Sequence, residues 1–201
     1  MKTLLLTLCL LSGSTFAAAD SVRILTPGSI RTLLGDYPAL GTEASHRDYD
    51  VLLHIQNTRT PEECAEAALE EKVSLERMFA GENGPLTKAE IKRVTPRLLG
   101  GFAEIGANIY IAKKIFKRPR PYFVDRHLTP CIKKEGSYAY PSGHAATSRY
   151  FARKLMEIFP DRKEAILKRS DEVAWNRVLG GVHHPSDIEA GKKLGDELAR
   201  D

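Results

Sequence analysis

Three short segments of the chain hold residue types whose spacing could do chemistry on an anion: Lys113 with Arg120-Pro121, then Pro141-Ser142-Gly143-His144, then Asn176-Arg177 with His183 and Asp187. Two arginines and a lysine supply point-charge and bidentate reach, which suits the three non-bridging oxygens of a phosphoryl group during in-line displacement. Gly143 permits close backbone approach, and the amides of Gly143 and His144 would open a helix, where unpaired donors and the positive dipole end attract anions. Two histidines and one carboxylate then divide naturally. One imidazole attacks, the carboxylate fixes its tautomer from the other ring nitrogen, and the second imidazole handles the proton of the leaving group. Ser142 serves either as a phosphate contact or as the cap of the helix that His144 enters.

The neighbouring titratable groups are assigned elsewhere. His184 would point away from His183 on a regular backbone, and His46, His54 and His127 read as structural or exposed. Lys114, Lys117, Arg118 and Cys131 are placed outside the site. No HExxH or paired-cysteine pattern is present, so no metal ligands are assigned and no cofactor is expected.

These segments need elements to hold them, and the punctuation of the chain is helical. Residues 1–19 run from Lys2 through an apolar stretch to small residues ending at Ala19, the order of a secretory signal peptide. Residues 20–59 form an N-terminal arm and a first helix, with Ser21 to Gly41 expected to be extended. Residues 60–201 form the core. Thr60-Pro61 with Glu63 opens a helix expected to run to Phe79, and Gly81 to Pro85 is a loop. Thr87 with Glu90 opens another, with helix resuming after Pro96 toward Phe116. Ala145 to Phe159 follows, then a helix capped by Asp161 with Glu164 that runs to Leu179, then a last one capped by Ser186 with Glu189. No stretch alternates convincingly with period two, so the expected fold is all-α, a compact single-domain bundle of six or seven helices.

Composition bounds the function. A 201-residue chain that is 42% hydrophobic and 28% charged makes one globular domain. The formal charge of +4 falls to about +3 once Lys2 leaves with the signal peptide, which excludes nucleic acid as the partner suggested by charge. The longest weakly charged stretch beyond the start, Leu98 to Ala112, contains Glu104 and is too short to span a bilayer, so no stable membrane insertion is expected. The expected location is secreted, in the periplasm. Cys64 and Cys131 allow one disulfide in that compartment or two free thiols.

Taken together, the three segments resemble the signature of the type 2 phosphatidic acid phosphatase (PAP2) superfamily, Lys-x6-Arg-Pro, Pro-Ser-Gly-His and Ser-Arg-x5-His-x3-Asp. Within it, the "GSYAYPSGH" and "AILKRSDEVAWNR" stretches most resemble the bacterial class A nonspecific acid phosphatases. The resemblance implies a metal-independent phosphomonoesterase in which His183 forms a phosphohistidine and Asp187 orients it. His144 protonates the leaving oxygen and later activates water, while Lys113, Arg120, Ser142, Gly143 and Arg177 hold the phosphoryl oxygens. It implies a phosphate-ester substrate and leaves a homodimer open. Asn176 stands where the pattern has Ser, and "GVHHPSDIEAG" is closer to the membrane-embedded lipid phosphatases. A lipid or lipid-linked phosphatase working at a membrane surface, and a non-catalytic phosphate binder, are therefore the competing functions.

Overall fold

The computed structural model describes residues 22–80 and 84–200; the expected signal peptide lies outside them. Among the described residues there are nine α-helices and no β-strand. They are α1 (Pro27–Leu34), α2 (Glu43–Thr58), α3 (Pro61–Leu69), α4 (Leu75–Phe79), α5 (Lys88–Phe116), α6 (Pro121–Val124), α7 (Gly143–Ile158), α8 (Lys163–Leu179) and α9 (Pro185–Leu198). None of them is long and apolar enough to cross a membrane.

Helix α7 is the centre. Its residues from His144 to Ala152 are all buried, and α5, α8 and α9 pack around it. Glycines bring α9 unusually close: a Cβ on Gly191 would sit 2.6 Å from the Ser142 carbonyl oxygen, and one on Gly195 would sit 2.5 Å from that of Ala146. At their starts the two helices are joined directly, the Ser142 amide donating to the Asp187 carbonyl over 2.9 Å. Helix α5 contributes a long apolar stripe, with Ile91, Val94, Leu98, Ile105, Ala112 and Phe116 buried.

Several boundaries differ from expectation, each for a local reason. The arm holds α1, because Thr26 caps it, Pro27 starts it and Ile30 with Leu34 can be buried against the body. The helix from Pro61 ends at Leu69, since Glu70 turns its side chain inward to Arg169 and Asn176 and Ser74 caps a fresh start at α4. Helix α5 runs unbroken through Pro96. A mid-helix proline costs about 3 kcal/mol or more, and the buried stripe on both sides of it outweighs that cost. Before α8 a 3₁₀ turn, Pro160–Arg162, replaces the Asp161 cap. Helix α9 is capped one residue pair earlier than expected, with His184 at the cap position and Asp187 at the third helical position.

The connection between α6 and α7 is tied at several points. Cys64 on α3 is disulfide-bonded to Cys131. The Tyr122 hydroxyl accepts from the Glu135 amide at 2.9 Å and donates to its carbonyl at 2.7 Å. That connection forms one wall of the site.

Candidate active site

The three segments converge where α5 ends and α7 and α9 begin. Lys117 leaves α5 in the left-handed region at φ 51°, and both Arg118 and Arg120 precede prolines, which forces them into extended backbone and out of the helical path. The Arg120 side chain is 1% exposed, and its Nη1 donates to the Val182 carbonyl at 2.8 Å and to His183 Nε2 at 2.9 Å.

Arginine can only donate, so His183 Nε2 carries a lone pair and its proton sits on Nδ1. That Nδ1 donates to Asp187 Oδ2 at 3.2 Å. Burial and the neighbouring Arg120 charge hold the His183 pKa well below its ordinary value, so the ring is neutral. Asp187 is fully buried, and burial alone would raise its pKa. The hydrogen bonds from His183 and His184 and the charge of Arg118 outweigh that and keep the carboxylate ionised. The arrangement is a neutral imidazole in the tautomer a nucleophile needs, with its lone pair facing a cation.

Two residues assigned elsewhere by sequence belong to this assembly. Arg118 is 4% exposed, and its Nη1 donates to Asp187 Oδ1 and to the Ser186 hydroxyl, both at 2.7 Å, while Nη2 donates to Asp48 Oδ2 on α2 at 2.9 Å. The proline after it was the available signal, identical to the one that singled out Arg120. His184 donates its amide and its Nδ1 to Asp187 Oδ2, at 2.9 and 3.1 Å. It reaches the same carboxylate as His183 because the backbone here is irregular: Gly181 has φ +77° and His184 is the cap of α9. No pattern in the sequence pointed to Asp48, which lies 139 residues before Asp187.

The remaining cations lie close by. Arg177, at the last turn of α8, is 1% exposed, and its Nη2 donates to Glu135 Oε1 at 2.8 Å while Nε and Nη1 have no partner. Glu135 Oε2 accepts from Arg120 Nη2 at 2.5 Å. Burial opposes its ionisation, yet the charges of Arg120, first, and of Arg177 bring the Glu135 pKa down to about 2. Lys113 Nζ bonds the carbonyls of Tyr138 and Ala139, and burial, then Arg120, lowers its pKa to about 7.

Across the cradle, Ser142 is fully buried and its hydroxyl accepts from the Ala145 amide at 3.3 Å, so it caps α7, with Gly143 and His144 as the first two helical residues. His144 Nε2 donates to the carbonyls of Glu70 and Glu71, at 3.1 and 3.2 Å, which leaves Nδ1 as the free lone pair. Burial, then the charge of Arg177, lowers its pKa to about 4. Asn176 does not enter the cradle. Its amide donates to Glu70 Oε2 at 3.0 Å and so steadies the end of α3 whose carbonyls hold His144. The residues expected at the site, Lys113, Arg120, Ser142, Gly143, His144, Arg177, His183 and Asp187, lie where the ends of α5 and α8 meet the starts of α7 and α9. Among the described residues no group of His, Cys, Asp or Glu is arranged to hold a metal ion.

Known proteins match part of this chain. A non-specific acid phosphatase of Salmonella typhi is 38% identical over 96 residues, 44% of this chain and 38% of that protein. A lipid A 1-phosphatase of Rhizobium etli is 31% identical over 98 residues, 47% of this chain and 41% of that protein. The chain thus spans about two fifths of the length of the curated relatives it matches. Among solved structures, a bacterial vanadium-dependent iodoperoxidase superposes with a TM-score of 0.65 at 20% identity, covering 85% of this chain and 52% of that one, which shows a shared helical fold. Residues 98–195, a span that holds all three site segments, match the model of the PAP2 superfamily.

Proposed function

We propose that the chain hydrolyses phosphate monoesters through a phosphohistidine at His183. The observation that carries this reading is the His183 tautomer: Nδ1 donates to Asp187 and the Nε2 lone pair faces the buried Arg120. Nε2 attacks phosphorus from the side opposite the ester oxygen, and the P–O bond breaks as the P–N bond forms. Arg120, Arg177, Lys113 and the α7 amides hold the three phosphoryl oxygens, with Ser142 shaping that helix start. A phosphoryl dianion beside His144 raises the pKa of that ring, which burial and Arg177 otherwise depress, so that it arrives protonated and delivers its proton to the leaving alkoxide. In the second step His144 takes a proton from water, the hydroxide attacks phosphorus, and the P–N bond breaks to release phosphate. Three cations and the α7 helix start supply the charge stabilisation, so the chemistry calls for no metal.

The first 19 residues and the Cys64–Cys131 bond support export to an oxidising compartment such as the periplasm. The match to a lipid A 1-phosphatase favours a second reading of the substrate, a lipid-linked phosphate ester presented at a membrane surface. The test is hydrolysis of an aryl phosphate by the purified protein with chelator present, beside His183→Ala. Turnover by wild type, none by the variant, and an acid-labile phosphoprotein on rapid quench are expected. Turnover by wild type only on a phospholipid in detergent would move the substrate to the second reading. Full activity in His183→Ala would refute the mechanism.

A further inference from the structure

The cradle that the proposed function assigns to a phosphoryl group is occupied by part of the chain. Glu135 places one carboxylate oxygen on Arg120 and the other on Arg177, and it is the only acidic side chain among the described residues recorded on either guanidinium. Its backbone is pinned by Tyr122 through both the amide and the carbonyl, whereas the side chain is 30% exposed and has a path to solvent. The fit is partial. A planar carboxylate takes one N–H from each arginine, with the Ser137 hydroxyl at 3.5 Å, and leaves Nε and Nη1 of buried Arg177 without partners. A tetrahedral group with three free oxygens could take those as well. Nothing in the chemistry proposed above uses Glu135.

We infer that Glu135 is an affinity-setting residue of this site: a tethered carboxylate that competes with the phosphoryl group for Arg120 and Arg177 and sets the affinity for substrate and for released phosphate. The inference rests on the phosphate-cradle reading. A tethered competitor acts at a fixed effective concentration, so the apparent dissociation constant of any oxyanion is its intrinsic value divided by the fraction of sites that Glu135 has vacated. Swinging toward solvent opens the cradle, and returning to it speeds departure of the product. The residue therefore exchanges tight binding for turnover in phosphate-rich surroundings.

The test is calorimetric titration of inorganic phosphate into wild type, Glu135→Gln and Glu135→Asp at one pH and ionic strength. The amide lacks the charge that holds both guanidinium groups, so Glu135→Gln should bind phosphate about tenfold more tightly or better, the scale of one charge-assisted contact given up. Glu135→Asp, one methylene shorter on a pinned backbone, can reach one arginine at most and should fall between the two. If Glu135→Gln fails to fold, Glu135→Asp decides alone. Equal or weaker binding in the variants overturns the inference and leaves the cradle standing, because wild type still binds. No binding by any of the three overturns the cradle itself and this inference with it.

Discussion

Replacing Asp187 by Asn separates what the carboxylate does for folding from what it does for chemistry. In wild type Oδ1 accepts from Arg118 at 2.7 Å, and Oδ2 accepts from His183 Nδ1, His184 Nδ1 and the His184 amide at 3.2, 3.1 and 2.9 Å. An amide has one acceptor and one donor end. Turned with its NH2 toward Arg118, it loses a charge-assisted bond, about 1.5–3 kcal/mol, and sets donor against donor. Turned the other way, it sets that NH2 against three donors, so the first orientation wins. Breaking a buried ion pair from one side costs about 3–5 kcal/mol, and the Asp48 carboxylate still neutralises Arg118, which points to the low end. At about 3 kcal/mol the melting temperature of a protein this size falls by roughly 6–12 °C. Chemistry should suffer more, because in the proposed mechanism His183 becomes positively charged on phosphorylation and no anion would remain behind it. The same substitution in serine-protease triads costs about 10⁴ in kcat, and a loss of 10³–10⁴ is expected here. Thermal unfolding and aryl phosphate turnover on the same preparation measure both. Turnover within tenfold of wild type, with the melting temperature lowered as stated, would refute the orienting role of Asp187.

Lys113, with its pKa near 7, is charged below that pH and neutral above it, so sulfate, whose own charge is constant there, should bind more weakly as pH rises through about 7. Lys113→Arg should abolish that dependence, as followed by calorimetry. Gly195→Ala puts a Cβ 2.5 Å from the Ala146 carbonyl, where ordinary contact starts near 3.4 Å, so α9 must retreat by about 0.9 Å. The cost is about 1–3 kcal/mol, read as a lower melting temperature together with reduced kcat. Asn176→Ser leaves Glu70 with Arg169 alone and should cost about 1 kcal/mol, while KM for an aryl phosphate changes less than twofold. Removing the Cys64–Cys131 bond, which closes a loop of 67 residues, should cost about 4 kcal/mol in denaturant unfolding of Cys64→Ser/Cys131→Ser.

The residues of the site were legible where chemistry and backbone rule coincide in one short segment. Arg120 before its proline, His144 after its glycine, and His183 four residues before Asp187 each carry their own local reason to face inward. Helix starts at Thr60 and Thr87 were legible for the same cause, since a capping box is contained in four residues. What could not be read is set by distant partners. Glu135 looks like any charged loop residue until Arg120 and Arg177 close on it, and Arg118 looks like a solvated cation until Asp48 arrives from α2. Asn176 stood out as a break in the pattern, yet its meaning depends on Glu70, which is 106 residues away. Pro96 misled in the other direction, because a local rule about prolines lost to the burial of a 29-residue helix.

The bond from the Ser142 amide to the Asp187 carbonyl holds the start of α7 against the start of α9, so two helix dipoles aim their positive ends at the same small volume. That part of the field is written in the main chain. It does not titrate, it carries no side chain to exchange, and a point substitution at any of the cations leaves it in place. Such a frame holds an anion-seeking interior constant while the residues around it are free to drift, and new specificities can be tried without first losing the pull on the charge.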